Sequence, residues 1–294
     1  RRALVLLAVA AVAVGAGVAL YETDALEGAE NATLAARFDV RGPQKLDPRI
    51  VLVGLDNESV ARLPRWPFSR RIHAQMLDRL HAAGARLIVY DVAFDSVSGP
   101  ADFDLFDAAG RAAPVIFATT TIRNGKSPAF MTVGDLPDIG ARVASANLLR
   151  DGDGVIRRLT ARTFGMETIG VATARRINPN GPSDKQIENA LIDFTGPVDT
   201  IPRISFSDVL RGKADKRALR GKIVVVGVTA PVFQDLHDTS AGAGMAGLEI
   251  QANTIATVLA GLPLQPPATI LTLLSILALG LLAPAAGLRF GAVA

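Results

Sequence analysis

Two long apolar runs stand near the ends of the chain. Residues 3–20 carry no charge, and a helix of that length spans about 27 Å, close to the thickness of a bilayer core. A second run, residues 268–288, follows Pro266 and Pro267 and is ended by Arg289. The pattern predicts transmembrane helices at 1–21 and 266–289, and a cleaved secretory signal is the alternative for the first.

Basic residues at the outer ends of these runs predict the orientation of the chain. Arg1 and Arg2 precede the first run and Arg289 follows the second, and such residues are preferentially kept in the cytoplasm. We therefore expect residues 22–265 to be extracytoplasmic. The chain begins without Met and stops in the apolar stretch 290–294, so we expect a fragment in which a further transmembrane helix begins at 290–294.

The segment between the two runs alternates between strand and helix patterns. Continuous apolar stretches predict buried strands at 50–56, 86–92, 114–119 and 222–229. Periodic apolar positions predict helices at 70–83, 102–111, 168–176, 205–210 and 248–260. Further strands are predicted at 155–163 and around 190–194, with a loop at 178–185. This order indicates an α/β fold, Rossmann-like, with a mostly parallel central sheet and helices on both faces.

Composition excludes several classes of function. The chain is 49% hydrophobic and 20% charged, and its net charge of +3 is the difference between 31 basic and 28 acidic residues. No run of Lys or Arg is longer than a pair, which argues against nucleic acid as a partner. Because there is no cysteine, disulfides, thiol nucleophiles and Cys-ligated metals are excluded.

Carboxylates follow three of the predicted strands. In open α/β sheets, ligands bind in the crevice outside the carboxyl ends of the strands, so these groups are candidates for one pocket. The alternative is that they cap the following helices or pair with Arg65, Arg70 and Arg71. The candidate ligand-binding residues are Asp56, Glu58, Trp66, Asp91, Asp235 and Asp238, and Asp95 lies close to Asp91 in the sequence.

Trp66, Pro67 and Phe68 form an aromatic pair around a proline after the first strand. They are interpreted either as a lid over the strand ends or as a hydrophobic staple before a helix that Ser69 caps. The staple is the reading that the position of Ser69 favours.

The remaining motifs do not support a metal, a cofactor or a catalytic residue. His237 lies between two carboxylates, but the other histidines, His73 and His81, share one helix, where His73 is predicted to lie in the core. A G-x-G-x-x-G match at 242–247 precedes a helix, yet a long loop separates it from the strand, which argues against nucleotide binding. Residues 151–153 begin like a calcium loop, but Arg162 occupies the position of the required Glu.

Several segments, in their order along the chain, resemble the CHASE2 domain, the extracytoplasmic sensor module of bacterial membrane receptors. They are 38–41, 50–59, 65–70, 84–94, 151–157, 201–206, 219–230, 235–239 and 247–253. The resemblance covers about residues 37–262. Residues 235–239 depart from the family's usual pattern, which makes a role of that loop in a pocket less secure, and no ligand-binding residue is carried over.

The resemblance implies a sensor region in a bacterial inner or plasma membrane that relays an unknown stimulus to a cytoplasmic output domain. The output domain expected is a class III adenylate or guanylate cyclase, and otherwise a histidine kinase, a diguanylate cyclase or a Ser/Thr kinase. On this reading the fragment is not an enzyme, although the full-length protein is. The expected partners are the lipid bilayer, a second copy in a homodimer and an unknown extracytoplasmic ligand. The alternatives are a membrane-tethered structural or partner-binding domain and an extracytoplasmic enzyme on a Rossmann-like scaffold.

Overall fold

The structure is a computed structural model that describes residues 2–23, 27–63, 66–112, 114–123, 126–128, 130, 133–264 and 269–290. The chain divides into two compact units. The terminal unit comprises Arg1–Arg37 and Gln265–Ala294, and the central unit comprises Phe38–Leu264.

Eleven α-helices are present in these residues: α1 (Arg2–Glu22), α2 (Glu27–Arg41), α3 (Asn57–Arg62), α4 (Arg70–Ala82), α5 (Ala101–Arg111), α6 (Ile169–Ile177), α7 (Asp184–Ile187), α8 (Phe206–Leu210), α9 (Lys216–Leu219), α10 (Gly247–Leu259) and α11 (Thr269–Phe290). Short 3₁₀ helices occupy Leu136–Ile139 and Pro231–Phe233.

The ten strands among the same residues are β1 (Ile50–Leu55), β2 (Leu87–Asp91), β3 (Val115–Thr119), β4 (Ala141–Ser145), β5 (Arg162–Thr163), β6 (Met166–Glu167), β7 (Arg203–Ser205), β8 (Ile223–Val228), β9 (Leu236–Thr239) and β10 (Gly242–Ala246).

The terminal unit contains two apolar helices, α1 and α11, packed against each other. Over Leu4–Glu22 and Ile270–Gly287 they are long and apolar enough to cross a membrane, and little of either stretch is buried. The packing is close at Gly280, because a side chain there would come within 2.6 Å of Val14. Pro266, Pro267 and residues 291–294, where a further transmembrane helix is expected to start, lie outside the described residues.

The central unit is built on a six-stranded sheet in the order β4-β3-β2-β8-β1-β7. Every neighbouring pair in this sheet is parallel. Its central strands are buried on both faces, as their continuous apolar sequences indicate. The predicted α/β class with a mostly parallel central sheet is confirmed.

Helices cover both faces of this sheet. On one face α4, α5 and α8 enclose Val53, Leu55, Tyr90 and other alternate strand residues. On the opposite face α6 and α10 enclose Leu52, Val89 and their neighbours. Because strand side chains alternate between faces, consecutive residues such as Leu52 and Val53 enter different cores.

Two predicted strands are wrong. Within 155–163 only β5 is a strand, and 190–194 contributes a single isolated bridge between Arg158 and Leu191. Both segments bury alternate apolar residues, among them Ile156 and Ile192, which produces a strand-like pattern. Their backbone groups bond mainly to each other, as in the bond from the Ile192 N–H to the Arg157 carbonyl (2.9 Å), and they do not join a continuous ladder.

Four helices were not predicted: α2, α3, α7 and α9. The sequence pattern indicates no element between the first apolar run and β1, where the structure has α2, and the predicted loop 178–185 runs into the start of α7.

The G-x-G-x-x-G match is not a loop, because residues 242–246 form β10, antiparallel to β9. A strand in this position cannot wrap around a phosphate as a glycine-rich loop does.

Candidate functional site

A cavity of about 330 Å³ opens at the carboxyl edge of the sheet. The chain leaving β2 continues to α5 on one face, whereas the chain leaving the neighbouring β8 continues through β9 and β10 to α10 on the other. Because the chains that leave these two adjacent strands pass to opposite faces of the sheet, a crevice opens between them. In doubly wound sheets, ligands bind in this crevice. The polar residues lining this cavity are Asp91, Thr120, Asn147, Arg150, Asp235, His237 and Gln251.

Three of these side chains form a chain of hydrogen bonds. The guanidinium of Arg150 lies 2.8 Å from Nδ1 of His237, and Nε2 of His237 lies 2.8 Å from Oδ1 of Asp235. Arginine has no acceptor, so Nδ1 accepts and Nε2–H donates to the carboxylate. This pattern of hydrogen bonds places the Nε2 proton of His237 against Asp235, so that the ring orients the carboxylate at the cavity wall.

Asp91, the last residue of β2, adds a second carboxyl group to this cavity. Burial, together with the negative charge of Asp235, raises the pKa of Asp91 to about 7. The site can therefore gain or lose a proton near neutral pH. A protonated Asp91 donates a hydrogen bond, whereas an ionised Asp91 only accepts one.

The first turn of α10 closes the cavity beside Asp235. The N–H of Gly247 donates to the backbone carbonyl of Asp235 at 3.0 Å. A Cβ at position 247 would lie 2.2 Å from Oδ2 of Asp235, so only glycine lets the carboxylate approach the helix this closely. The partial positive charge at a helix N-terminus favours an anion in this position.

Polar side chains along α10 tie the helix to the segment 193–201. Glu249, Asn253 and Thr257 are buried and recur every fourth residue, on one face of the helix. They accept hydrogen bonds from the N–H groups of Ile201 (3.3 Å), Thr195 (2.9 Å) and Asp193 (3.0 Å), respectively. These three bonds, called here the α10 ladder, set the position of the helix along its axis.

Only Asp91 and Asp235 of the six candidate residues line the cavity. Asp56 instead caps α3, accepting from the Ser59 N–H at 2.8 Å. Glu58 pairs with Arg62 on the same helix. Asp56 thus follows the helix-capping alternative, whereas Glu58 pairs with Arg62 and not with one of the predicted arginines, and the candidate carboxylates do not all converge on one pocket.

Trp66 and Asp238 also point to other contacts. The Trp66 ring packs edge-on against Phe68 and Phe233, with centroids 5.2 and 4.8 Å away. Ser69 caps α4, as the staple interpretation requires. The carboxylate of Asp238 accepts from the Gly244 N–H at 3.1 Å, within the β9–β10 hairpin.

Arg70 and Arg71, two of the three arginines predicted as partners of the strand-end carboxylates, pair elsewhere. Arg70 pairs with Asp102 at 3.0 Å and Arg71 with Asp104 at 2.7 Å. Arg65 lies outside the described residues. Asp95 accepts from the Thr119 hydroxyl at 2.8 Å.

His73 occupies the core. Its Nδ1 lies 2.9 Å from the Tyr90 hydroxyl, and burial together with the charge of Arg70 lowers its pKa to about 3. The ring is therefore neutral and structural, as its place on the apolar arc of α4 predicts.

Sequence reasoning missed Arg150, Asn147, Thr120 and Gln251. Arg150 and Asn147 lie in irregular chain after β4, so no periodic pattern marks them. The sequence could have indicated Gln251, because it is a polar residue within the mostly apolar helix α10. In the structure it is only 3% exposed. A buried polar side chain in a core helix needs a partner, and Gln251 donates to the Ala146 carbonyl at 3.2 Å.

The part of the chain that the structure describes holds no group of three metal-ligating side chains. The calcium-loop residues Asp151 and Asp153 both bind Arg157, at 3.0 and 2.7 Å. Their charges thus stabilise a turn of the chain.

Comparison with known proteins identifies the family. No curated protein and no solved structure was found to match the chain. The model of the CHASE2 domain matches residues 5–286, nearly the whole chain, and so reaches into both apolar helices. CHASE2 domains are extracytoplasmic sensor domains of membrane signalling receptors and are not catalytic. The chain belongs to the CHASE2 domain family.

Proposed function

We propose that this chain is the sensor region of a bacterial transmembrane receptor, and that the cavity at the carboxyl edge receives its stimulus. The observation that carries the proposal is the position of α10. Its first turns line the cavity through Gly247 and Gln251, and in the sequence only residues 260–268 separate its end from α11. The helix α10 thus begins at the cavity and ends shortly before the apolar helix α11 in the sequence.

A stimulus can act through this helix by changing the groups at its N-terminus. Protonation of Asp91, or a ligand that binds Asp91 and Asp235, changes the charge beside the first turn of α10. The α10 ladder allows the helix only certain positions along its axis, because each of the accepting side chains must face an N–H group. A ligand shifts the receptor only by binding one arrangement of α10 more tightly than another.

In the proposed receptor the apolar helices cross the membrane and an output domain lies in the cytoplasm. The basic residues Arg1, Arg2 and Arg289 favour a cytoplasmic location for both outer flanks, which leaves residues 22–265 in the periplasm or outside the cell. The output domain proposed is a class III adenylate or guanylate cyclase acting as a homodimer, with a histidine kinase, a diguanylate cyclase or a Ser/Thr kinase as the alternatives.

A reporter fusion tests the sensing role. The chain is joined after residue 294 to the catalytic domain of an adenylate cyclase, and cyclic AMP is measured in cells. We expect Asp91→Asn and Asp235→Asn to change the output several-fold. The matched control Asp238→Asn, which removes a carboxylate outside the cavity, should leave it near the parent value. Equal output from all four proteins, at equal expression, would refute a sensing role for the cavity.

The orientation and the output domain have separate tests. Because the chain has no cysteine, a single Val97→Cys variant can be labelled in intact cells with a membrane-impermeant maleimide. Labelling only after lysis would contradict an extracytoplasmic central unit. The coding sequence downstream of residue 294 tests the output domain: a cyclase domain is expected, and a short basic tail would indicate a tethered structural domain instead.

A further inference from the structure

A row of cations lies along the amino edge of the sheet, opposite the cavity. The first residues of β1, β8 and β2 are register partners, so Arg49, Lys222 and Arg86, which precede them, are neighbours across three adjacent strands. The backbone bonds them together, because the Arg86 N–H donates to the Lys222 carbonyl at 2.8 Å. Adjacent strands lie about 4.8 Å apart, so this row concentrates positive charge.

The neighbouring segment 211–222 extends the charge. It contains six basic residues and one acidic residue, Asp215, which pairs with Arg217. Its end is fixed to the same edge, because the Gly221 N–H donates to the Gly84 carbonyl at 2.7 Å. Lys216 and Arg220 are exposed there. Charges that are scattered along the sequence thus gather in one place.

We name Arg49, Arg86, Lys216, Arg220 and Lys222 the basic edge. Asp47 forms a salt bridge with Arg49. This one carboxylate balances one of the five cations, so the basic edge carries an excess of positive charge. Lys222 donates from Nζ to a backbone carbonyl, which is an uncharged acceptor.

The chain leaves the central unit at the same edge. The last turn of α10, at Thr257 and Ala260, borders the same groove as Pro48 and Arg49, just before β1. From Leu264, the last residue of the unit, four residues lead to Thr269. The connection between this edge and α11 is therefore short in the sequence.

We propose that the basic edge binds the headgroups of anionic phospholipids in the membrane that the apolar helices cross. Lys and Arg near an anionic surface are attracted to it, and the attraction fades within a Debye length. The proposal rests on the charge of this edge and on the short stretch of sequence between α10 and the apolar helix α11. The inference does not depend on the cavity, which lies at the opposite edge of the sheet and stays open to its stimulus.

Headgroup quenching in vesicles tests this binding with the full chain. A fluorophore on Ala218→Cys, an exposed site between Arg217 and Arg220, is read against a lipid that carries a quencher on its headgroup. The vesicles contain phosphatidylcholine alone or with about one third phosphatidylglycerol. A label on Val97→Cys, 70% exposed in the parent protein and located after β2 at the carboxyl edge, is the positional control.

Phosphatidylglycerol should increase quenching at position 218 at least about twofold, with little change at position 97. Salt at about 0.5 M, which shortens the Debye length to about 4 Å, should reverse the increase. The double variant Lys216→Glu/Arg220→Glu should also abolish it. Arg123→Glu/Lys126→Glu, an equal charge change on exposed residues after β3, should retain it.

Quenching at position 218 that is the same with and without phosphatidylglycerol would overturn the proposal. An increase that survives Lys216→Glu/Arg220→Glu, or one of equal size at position 97, would do the same. If quenching is unchanged but a soluble polyanion such as polyphosphate binds the parent chain and not the double variant, the partner is soluble and the lipid proposal is wrong.

Discussion

The titration of Asp91 makes the stability of the central unit depend on pH in a defined direction. The pKa of this carboxyl group rises from 3.8 to about 7 on folding, so the folded protein holds a proton that the unfolded chain has lost. The contribution of Asp91 to the free energy of unfolding therefore falls as pH rises from about 4 to about 7, and levels off above that. Asp91→Asn, which has no proton to lose, removes this dependence.

The size of the effect follows from the shift in pKa. A difference of about 3 pKa units corresponds to about 4 kcal/mol, and this is an upper limit because water reaches part of the cavity and screens the charges. Between pH 5 and pH 8 the stability of Asp91→Asn relative to the parent should therefore increase by about 2 to 3 kcal/mol. For a unit of this length, that is a relative rise in Tm of roughly 5 to 10 °C.

The assay is thermal unfolding in detergent, followed by tryptophan fluorescence. Trp66 is the only tryptophan, and it packs in the central unit against Phe233, so its emission reports this unit alone. Asp104→Asn, which removes a half-exposed carboxylate paired with Arg71, should differ from the parent by less than about 1 kcal/mol at both pH values. A difference between Asp91→Asn and the parent that stays constant or shrinks toward pH 8 would refute the reasoning.

Two further substitutions test the contacts of α10 by the same fluorescence assay. Gly247→Ala places a methyl group 2.2 Å from the Asp235 carboxylate and should cost about 1 to 3 kcal/mol. Gly152→Ala, where a Cβ meets nothing within 4 Å, is the control, and equal Tm values for both variants would contradict the close approach. Asn253→Ala removes the acceptor of the buried Thr195 N–H and should cost about 1 to 3 kcal/mol. Its hydrogen exchange at Thr195 should accelerate, and unchanged protection there would show that this bond does not hold α10.

Much of the fold was predictable because the main strands are buried on both faces. A continuous apolar run such as that of β8 has few interpretations other than a central strand. Residues 155–161 also bury alternate side chains, but they pack against other irregular segments. Sequence periodicity does not distinguish such a segment from a strand of the sheet. The helix α2 was missed because its sequence is rich in Ala and polar residues and has few large apolar side chains.

The candidate site was predictable only in part. The rule that ligands bind at strand ends led to Asp91 and to Asp235, since Asp91 ends β2 and Asp235 follows β8. The same rule selected Asp56 and Glu58, which local partners satisfy: the N–H groups at the start of α3 for Asp56 and Arg62 for Glu58. Arg150 reaches the site across 87 residues of sequence, a pairing that requires the folded chain.

The central claim is that α10 carries a signal from the cavity to the segment that follows it. The most direct measurement combines Asp91→Asn with a flexible Gly-Gly insertion after Leu262 in the adenylate cyclase fusion. If α10 transmits the signal, the insertion should abolish the change in cyclic AMP that Asp91→Asn causes, while the Tm reported by Trp66 stays within about 2 °C of the protein without the insertion. A change in cyclic AMP that persists at full size despite the insertion would contradict the account.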